Sequence, residues 1–457
     1  MQFRSTMSQN LLVSFKDAVL SCLPSDGGLY VPAETVDMRQ FFLYMDAKTT
    51  YPELVATMAP ALLQGELNPF SANRVVESAF DFEPELKQLD DGLSLLSLYN
   101  GPTGVFKDFS IAFLAAVMEE LLKNSHPVMR PSGPRAQGNR LDAAPGGLCM
   151  LISASRGDMG VSLAHAFRGR QGVTSVILYP SGPIRGLDPA TFVPNGGNII
   201  PIQITGTFDD CQRLIVAAIN DRPFAERYGV TSANAINLGR LLPQCFYYLY
   251  AFVKLKDTLR GDLVFSVPSG NFGNLIAGLY AWKFGMPAKG FIAAMNANDA
   301  FGDYLRGKQF VPRPVVPTNS PSLDVGLPSN YQRLAAFYEE SPAVMRNMVY
   351  PAAIGNNRTI ATMEKAWKKY GVLLDPHSAV AFAAAQDLAA SREFSGHVHT
   401  VVLATGHPAK EAFMVSQATG QSIEIPPRLV RLQRQVDPIA IIKPDLAALE
   451  GAIASCF

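Results

Sequence analysis

The chain is 457 residues long, 48% hydrophobic and only 17% charged, with 39 Lys+Arg balancing 39 Asp+Glu. That much apolar material calls for a sizeable core, divided into two or three units or built as one α/β body in two lobes. The low charge argues against a disordered or coiled-coil protein, and zero net charge leaves no strong overall field to recruit nucleic acid or an anionic membrane.

The N-terminal stretch MQFRSTMSQNLLVSFKDAV lacks a signal h-region, because its apolar run breaks at Lys16-Asp17. Residues 1–98 show weak helical segments and a turn at Pro24–Gly28, and are expected to pack on the larger of two lobes. Next come a helix over Phe109–Leu122 and a Pro/Gly/Arg-rich interruption at 124–147, read as a solvated loop. Short apolar runs then predict buried strands at Leu148–Ile152, Ser175–Tyr179, Asn198–Gln203, Leu263–Val267, Gly290–Ala294 and His399–Ala404. Helical spacing appears at Val161–Phe167, Phe208–Ile219 and Ala379–Ala390. Strand, glycine loop, helix, repeated, is an α/β architecture with mostly parallel sheets, whose ligands bind at the carboxyl ends of strands. The expected lobes are a small one over 99–240 and a large one over 241–457. The uncharged run Leu263–Trp282 is long enough to span a bilayer, but its proline, asparagines and glycines argue against that. The five cysteines are scattered, with neither CxxC nor Cys/His ligand spacing, so no metal site and a reducing, cytoplasmic compartment are expected.

Four loops carry candidate chemistry. In Gly101-Pro102-Thr103-Gly104-Val105-Phe106-Lys107-Asp108-Phe109, Lys107 falls at a helix N-terminus, where a cation is disfavoured. Two readings stay open: a surface lysine paired with Asp108, or an amine depressed by the dipole and by Phe106 and Phe109, fit to form a Schiff base with a carbonyl cofactor. Val267-Pro268-Ser269-Gly270-Asn271-Phe272-Gly273-Asn274 joins a strand to a helix and offers amides to a small phosphate, or is simply a tight turn. It matches neither Walker A nor GxGxxG. Ser153-Ala154-Ser155-Arg156-Gly157-Asp158-Met159-Gly160 is a second possible anion site, with Arg156 able to add a bidentate contact. Thr405, in Ala404-Thr405-Gly406-His407-Pro408-Ala409-Lys410, stands where a hydroxyl can meet a heteroaromatic nitrogen, or is only a turn residue. His397 and His399 flank a strand, Asp375 caps a helix at His377, and Cys245 with Phe246, Tyr247, Tyr248 and Tyr250 reads as core.

With these segments on view, together with DGGLYVP (26–32), SANAINLGRLLPQCFYYLYAF (232–252), NANDAF (296–301), SPSLDV (320–325) and LLDPHSAVA (373–381), the chain resembles the threonine synthase family, of the long bacterial and fungal type. The resemblance runs nearly end to end, with only 124–147 looking like an insertion. It implies a two-lobed fold-type II pyridoxal-phosphate enzyme, tryptophan synthase β-like, with an extra N-terminal region. It implies that Lys107 holds pyridoxal 5'-phosphate, that Gly270, Asn271, Phe272, Gly273 and Asn274 cradle its phosphate, and that Thr405 faces the pyridine nitrogen. It implies conversion of O-phospho-L-homoserine and water to L-threonine and phosphate, with Lys107 shuttling protons, in a monomer or homodimer. The substrate is expected at Ser155, Arg156, Asp158 and Asn100. There the chain departs from the family: (T/S)SGDTG is replaced by Ser155-Arg156-Gly157-Asp158-Met159-Gly160, and a histidine before GPT by Asn100. These changes motivate an alternative, a related lyase for another phosphorylated or γ-substituted amino acid. A non-catalytic binding protein of the same fold is the reading from another class.

Overall fold

The computed structural model describes residues 1–10, 12–63, 65–123, 149–155, 157–181, 197–391, 396–430 and 438–456; the interruption at 124–147 and Arg156 lie outside them. Two sheets organise the chain. The larger has six strands in the order Val349–Ala353, Gly290–Met295, Asp262–Pro268, Val398–Ala404, Leu93–Ser97 and Glu85–Asp90. Its strands run parallel except for the last pair, an antiparallel hairpin. The smaller orders Ala440–Ile442, Ile199–Ile204, Val173–Pro180, Cys149–Ala154 and Val230–Thr231, all parallel. The central strands are buried on both faces, which is why their sequences are continuous apolar runs.

The sheets draw on the chain differently from the expected division at 98 and 240. Glu85–Ser97 belongs to the large sheet. Ala440–Ile442 returns to the edge of the small sheet, and the helix after it buries Leu449 and Ile453 in the cluster that holds Ile202 and Ile204. The apolar gain of seating those side chains explains why the chain crosses back.

In the N-terminal region, Phe3–Ser5 pairs with Tyr30–Pro32, and the two longest helices are Tyr51–Leu62 and Pro69–Ala79. Thr50 and Glu53 make a reciprocal capping box at the first helix, and Asn68 caps the second. Tyr51 meets Phe80, Phe109 and Tyr250 edge-on at ring separations of 5.1, 5.3 and 5.6 Å. Phe109 therefore faces this aromatic core and anchors the helix Lys107–Lys123 from its first turn. No helix of the described residues is long and apolar enough to cross a membrane. Leu263–Trp282 divides into a strand, a loop and a helix.

Candidate active site

Strand ends bring the four loops together. The loop after Leu93–Ser97 leads to Lys107, and the turn after Val398–Ala404 holds Thr405. They are stitched to one another: Phe106 N–H donates to the Thr405 carbonyl at 2.9 Å, His407 N–H to the Gly104 carbonyl at 2.8 Å, and Val105 bridges Gly406. Thr405 is buried, and its N–H donates to Ser378 Oγ at 3.0 Å. Ser378 in turn donates to Asp375, which caps the helix Pro376–Ala390 and meets His377 Nδ1 at 2.7 Å.

Asp108 does not pair with Lys107. Its buried carboxylate accepts from Thr103 N–H at 2.8 Å, from the Thr103 hydroxyl, and from Ser162 Oγ at 2.8 Å, so it ties the loop to the neighbouring helix. Lys107 Nζ instead lies 3.8 Å from Asp158 Oδ2, with the Phe106 ring centroid 5.6 Å away. Burial pulls its pKa down and the charges of Arg240 and Lys410 add to that, while Asp158 and Asp108 oppose. Asp158 Oδ1 also pairs with Lys410 Nζ at 2.8 Å. Burial alone would raise this carboxyl, but Lys410 and Lys107 bring it down to about 2. The carboxylate is ionised, and Lys107 is the ammonium driven toward its neutral form.

The loop after Asp262–Pro268 opens the helix Gly273–Lys283. Phe272 holds the left-handed region at φ 58°, which a bulky residue adopts only when its surroundings impose it. Its ring, packed 4.7 Å from that of Phe301, supplies the constraint. A side chain at Gly270 would stand 3.0 Å from the Ser322 carbonyl oxygen. Asn271 Oδ1 accepts from Ser329 N–H at 3.0 Å. Asn274 Oδ1 accepts from the hydroxyls of Tyr247 and Tyr248 at 2.6 and 2.7 Å, while its buried Nδ2 finds no partner among the described residues. Asn330 Nδ2 is likewise buried without a partner, and lies 3.5 Å from where a Cβ on Gly273 would stand. Two unsatisfied amide donors beside a helix N-terminus fit a phosphate, and a depressed amine fits the aldehyde of the same small molecule.

Ser155 Oγ is engaged in its own turn: it accepts from Gly157 N–H at 2.9 Å and Gly160 N–H at 2.7 Å. Asn100 Nδ2 donates to the Glu83 carbonyl at 3.3 Å and lines a cleft of about 570 Å³ with Glu83, Glu85, Tyr250 and Lys254. Two residues not singled out in the sequence enter the site. Asn330 is one. The other is Arg240, 5% exposed, whose Nε has no partner among the described residues and whose Nη1 lies 3.7 Å from Met159 Sδ. Burial lowers its pKa to about 10, yet it stays charged at neutral pH. A signal was present for Arg240, the single charged residue between Arg227 and Lys254.

Known proteins resemble the chain along nearly its whole length. The family model for pyridoxal-phosphate dependent enzymes matches residues 87–406, that of the threonine synthase N terminus 2–80, and that of the threonine synthase C-terminal part 378–453. Threonine synthase of Serratia marcescens is 33% identical over 94% of this chain and 93% of its own length, and that of Saccharomyces cerevisiae 28% identical over 91% and 88%. The crystal structure of threonine synthase from Escherichia coli superimposes with a TM-score of 0.86 at 31% identity, covering all of both chains. Pyridoxal-phosphate-bound threonine synthase from Brucella melitensis gives 0.85 at 29% identity, covering 100% of this chain and 99% of its own. A threonine deaminase from Solanum lycopersicum, at 0.52 and 17% identity, shares the fold alone. With matches from residue 2 to residue 453 and relatives aligned over nearly their whole length, the chain belongs to the threonine synthase family of pyridoxal-phosphate-dependent enzymes.

Proposed function

We propose that the chain converts O-phospho-L-homoserine and water to L-threonine and phosphate, with Lys107 as the residue that holds pyridoxal 5'-phosphate and moves the protons. The observation that carries this is the Lys107 amine, largely but not fully buried, depressed and 3.8 Å from an ionised Asp158. When bound, the cofactor draws electron density from the substrate's Cα, which lets a γ-phosphate depart and water add at Cβ. In this reading the chain's own residues do the rest. Gly270, Asn271, Phe272, Gly273 and Asn274, joined by Asn330, hold the cofactor phosphate through main-chain and amide N–H groups. Thr405 presents a neutral hydroxyl to the ring nitrogen. Lys107, once free, would take a proton from Cα and then Cβ, return one to Cγ and, after water adds at Cβ, one to Cα, a task that needs an amine neutral near the working pH.

Asp158 acts on Lys107 and Lys410 rather than as a direct substrate ligand, and Ser155 shapes the turn that presents it. The substrate's anionic end goes to Arg240, whose guanidinium is desolvated and incompletely paired. Arg156 supplies a second cation, and changing it to Ser should raise KM or lower kcat. Met159 supports the second reading, a related lyase for another phosphorylated amino acid, because a thioether stands against Arg240 and Asn234. Balanced charge and five cysteines without a disulfide support a cytoplasmic enzyme, monomer or homodimer, that binds no nucleic acid.

The test is direct. The protein should show an absorption band at roughly 410–430 nm, as expected of this cofactor held by a lysine, and Lys107→Ala should abolish it. With O-phospho-L-homoserine, phosphate and threonine should appear together. Phosphate with 2-oxobutyrate would mean elimination alone, and a colourless protein would mean a binding module.

A further inference from the structure

Arg333, in the helix Tyr331–Glu340, is completely buried. Its guanidinium donates from Nε to the Tyr30 carbonyl at 2.9 Å, from Nη1 to the Ala235 carbonyl at 3.0 Å and Asn330 Oδ1 at 2.7 Å, and from Nη2 to the Ile236 carbonyl at 2.6 Å. Every one of these acceptors is neutral. A cation desolvated among carbonyls, with no carboxylate against it among the described residues, is a poor way to gain stability. Burial lowers its pKa to about 10, with Tyr280 and Cys22 opposing only in part.

The acceptors show what the charge is placed to do. Tyr30 opens the second strand of the N-terminal two-stranded sheet, and Ala235 and Ile236 form the turn that leads to Arg240. Asn330 contributes its oxygen. A guanidinium only donates, so it fixes the orientation of that amide: Oδ1 faces Arg333 and Nδ2 points elsewhere. That Nδ2 is the buried, unpartnered donor 3.5 Å from the Cβ position of Gly273.

We propose that Arg333 is a positioning residue for the cofactor phosphate, holding Asn330 so that its Nδ2 donates to the phosphate at Gly273, and tying that contact to Tyr30 and to the turn at 235–236. The phosphate dianion is then the counter-charge that the site otherwise lacks. Phosphate binding and the seating of the N-terminal strand pair become reciprocally coupled. This rests on the reading of Gly270–Asn274 as the phosphate loop.

The test titrates apoprotein with pyridoxal 5'-phosphate and with pyridoxal, which lacks the phosphate. Asn330→Ala and Arg333→Lys should each weaken the phosphorylated form about tenfold and pyridoxal less than about twofold. The double variant should lose no more than Asn330→Ala alone. Equal losses for the two aldehydes, unchanged binding, or additive losses overturn the proposal. Should Arg333→Lys fail to fold, hydrogen exchange of wild-type apoprotein decides: inorganic phosphate must slow the amides of 30, 31 and 235–237, and unaltered exchange there overturns it. A wild type that does not prefer the phosphorylated aldehyde would instead refute the phosphate-loop reading. A preferring wild type with an equally preferring Arg333→Lys refutes only the role of Arg333.

Discussion

Asp158 lies 2.8 Å from Lys410 Nζ through one oxygen and 3.8 Å from Lys107 Nζ through the other, so one carboxylate serves two amines unequally. Burial lowers the Lys410 pKa, but Asp158, with Asp108 and Glu411, more than offsets this and the net shift is upward, which keeps Lys410 charged. Lys107 is left to titrate. Because Asp158 raises the Lys107 pKa against the dominant effect of burial, Asp158→Asn should lower it further. The rate at which apoprotein captures pyridoxal 5'-phosphate, which needs the neutral amine, should then hold up to lower pH than in wild type. A profile unmoved or moved to higher pH would contradict the pairing.

Arg240→Met should separate activity from stability. It removes a buried, incompletely paired cation and replaces it with apolar volume, so thermal stability should be retained or rise. KM for O-phospho-L-homoserine should increase about tenfold or more, with the visible band unchanged. A lost band would place Arg240 on the cofactor rather than on the substrate.

Gly270→Ala should act on cofactor affinity alone. The new Cβ would meet the Ser322 oxygen at 3.0 Å and Leu323 Cα at 3.1 Å, both main chain, so the loop must shift. Pyridoxal 5'-phosphate should bind about tenfold more weakly while giving the same absorption maximum. Equilibrium titration measures both at once.

Glu411 sets a pH dependence of stability. Burial, with the charges of Asp375 and Asp158, lifts its pKa to about 7 from a usual 4.5, against His377 and Lys410. Since the folded pKa is the higher, the folded state keeps a proton that the unfolded state releases between about pH 4.5 and 7. Stability from this group is therefore present below that window and lost as pH rises through it. Melting curves of Glu411→Gln should fall less than those of wild type between pH 5 and 8. Parallel curves would exclude the assignment.

The loops were legible because each is a contiguous run at a strand's carboxyl end, where Lys107, Gly270–Asn274 and Thr405 announce themselves through neighbours in sequence. Most central strands were legible for the same local reason. What escaped depends on tertiary meeting. Asn330 and Arg333 sit in an ordinary helix entry, and only the approach of Gly273, Tyr30 and the 235–236 turn gives them meaning. Asn100 read as a site residue by its place in the motif, yet its amide turns to Glu83. Three strands of the large sheet escaped: Leu93–Ser97, a five-residue run interrupted by serines, Val349–Ala353, which carries Pro351, tolerated at an edge, and Glu85–Asp90, an edge strand whose side chains are mostly exposed.

The strand Ala440–Ile442 covers Ile199–Ile204, which is otherwise the outermost strand on that side of the small sheet. A proteolytic clip or premature stop after residue 430 would strip that cover and present IIPIQI, mostly buried in the intact chain, as a bare apolar border. Shortened products should therefore clump through strand-to-strand docking, even though every group assigned to the chemistry lies upstream of the cut.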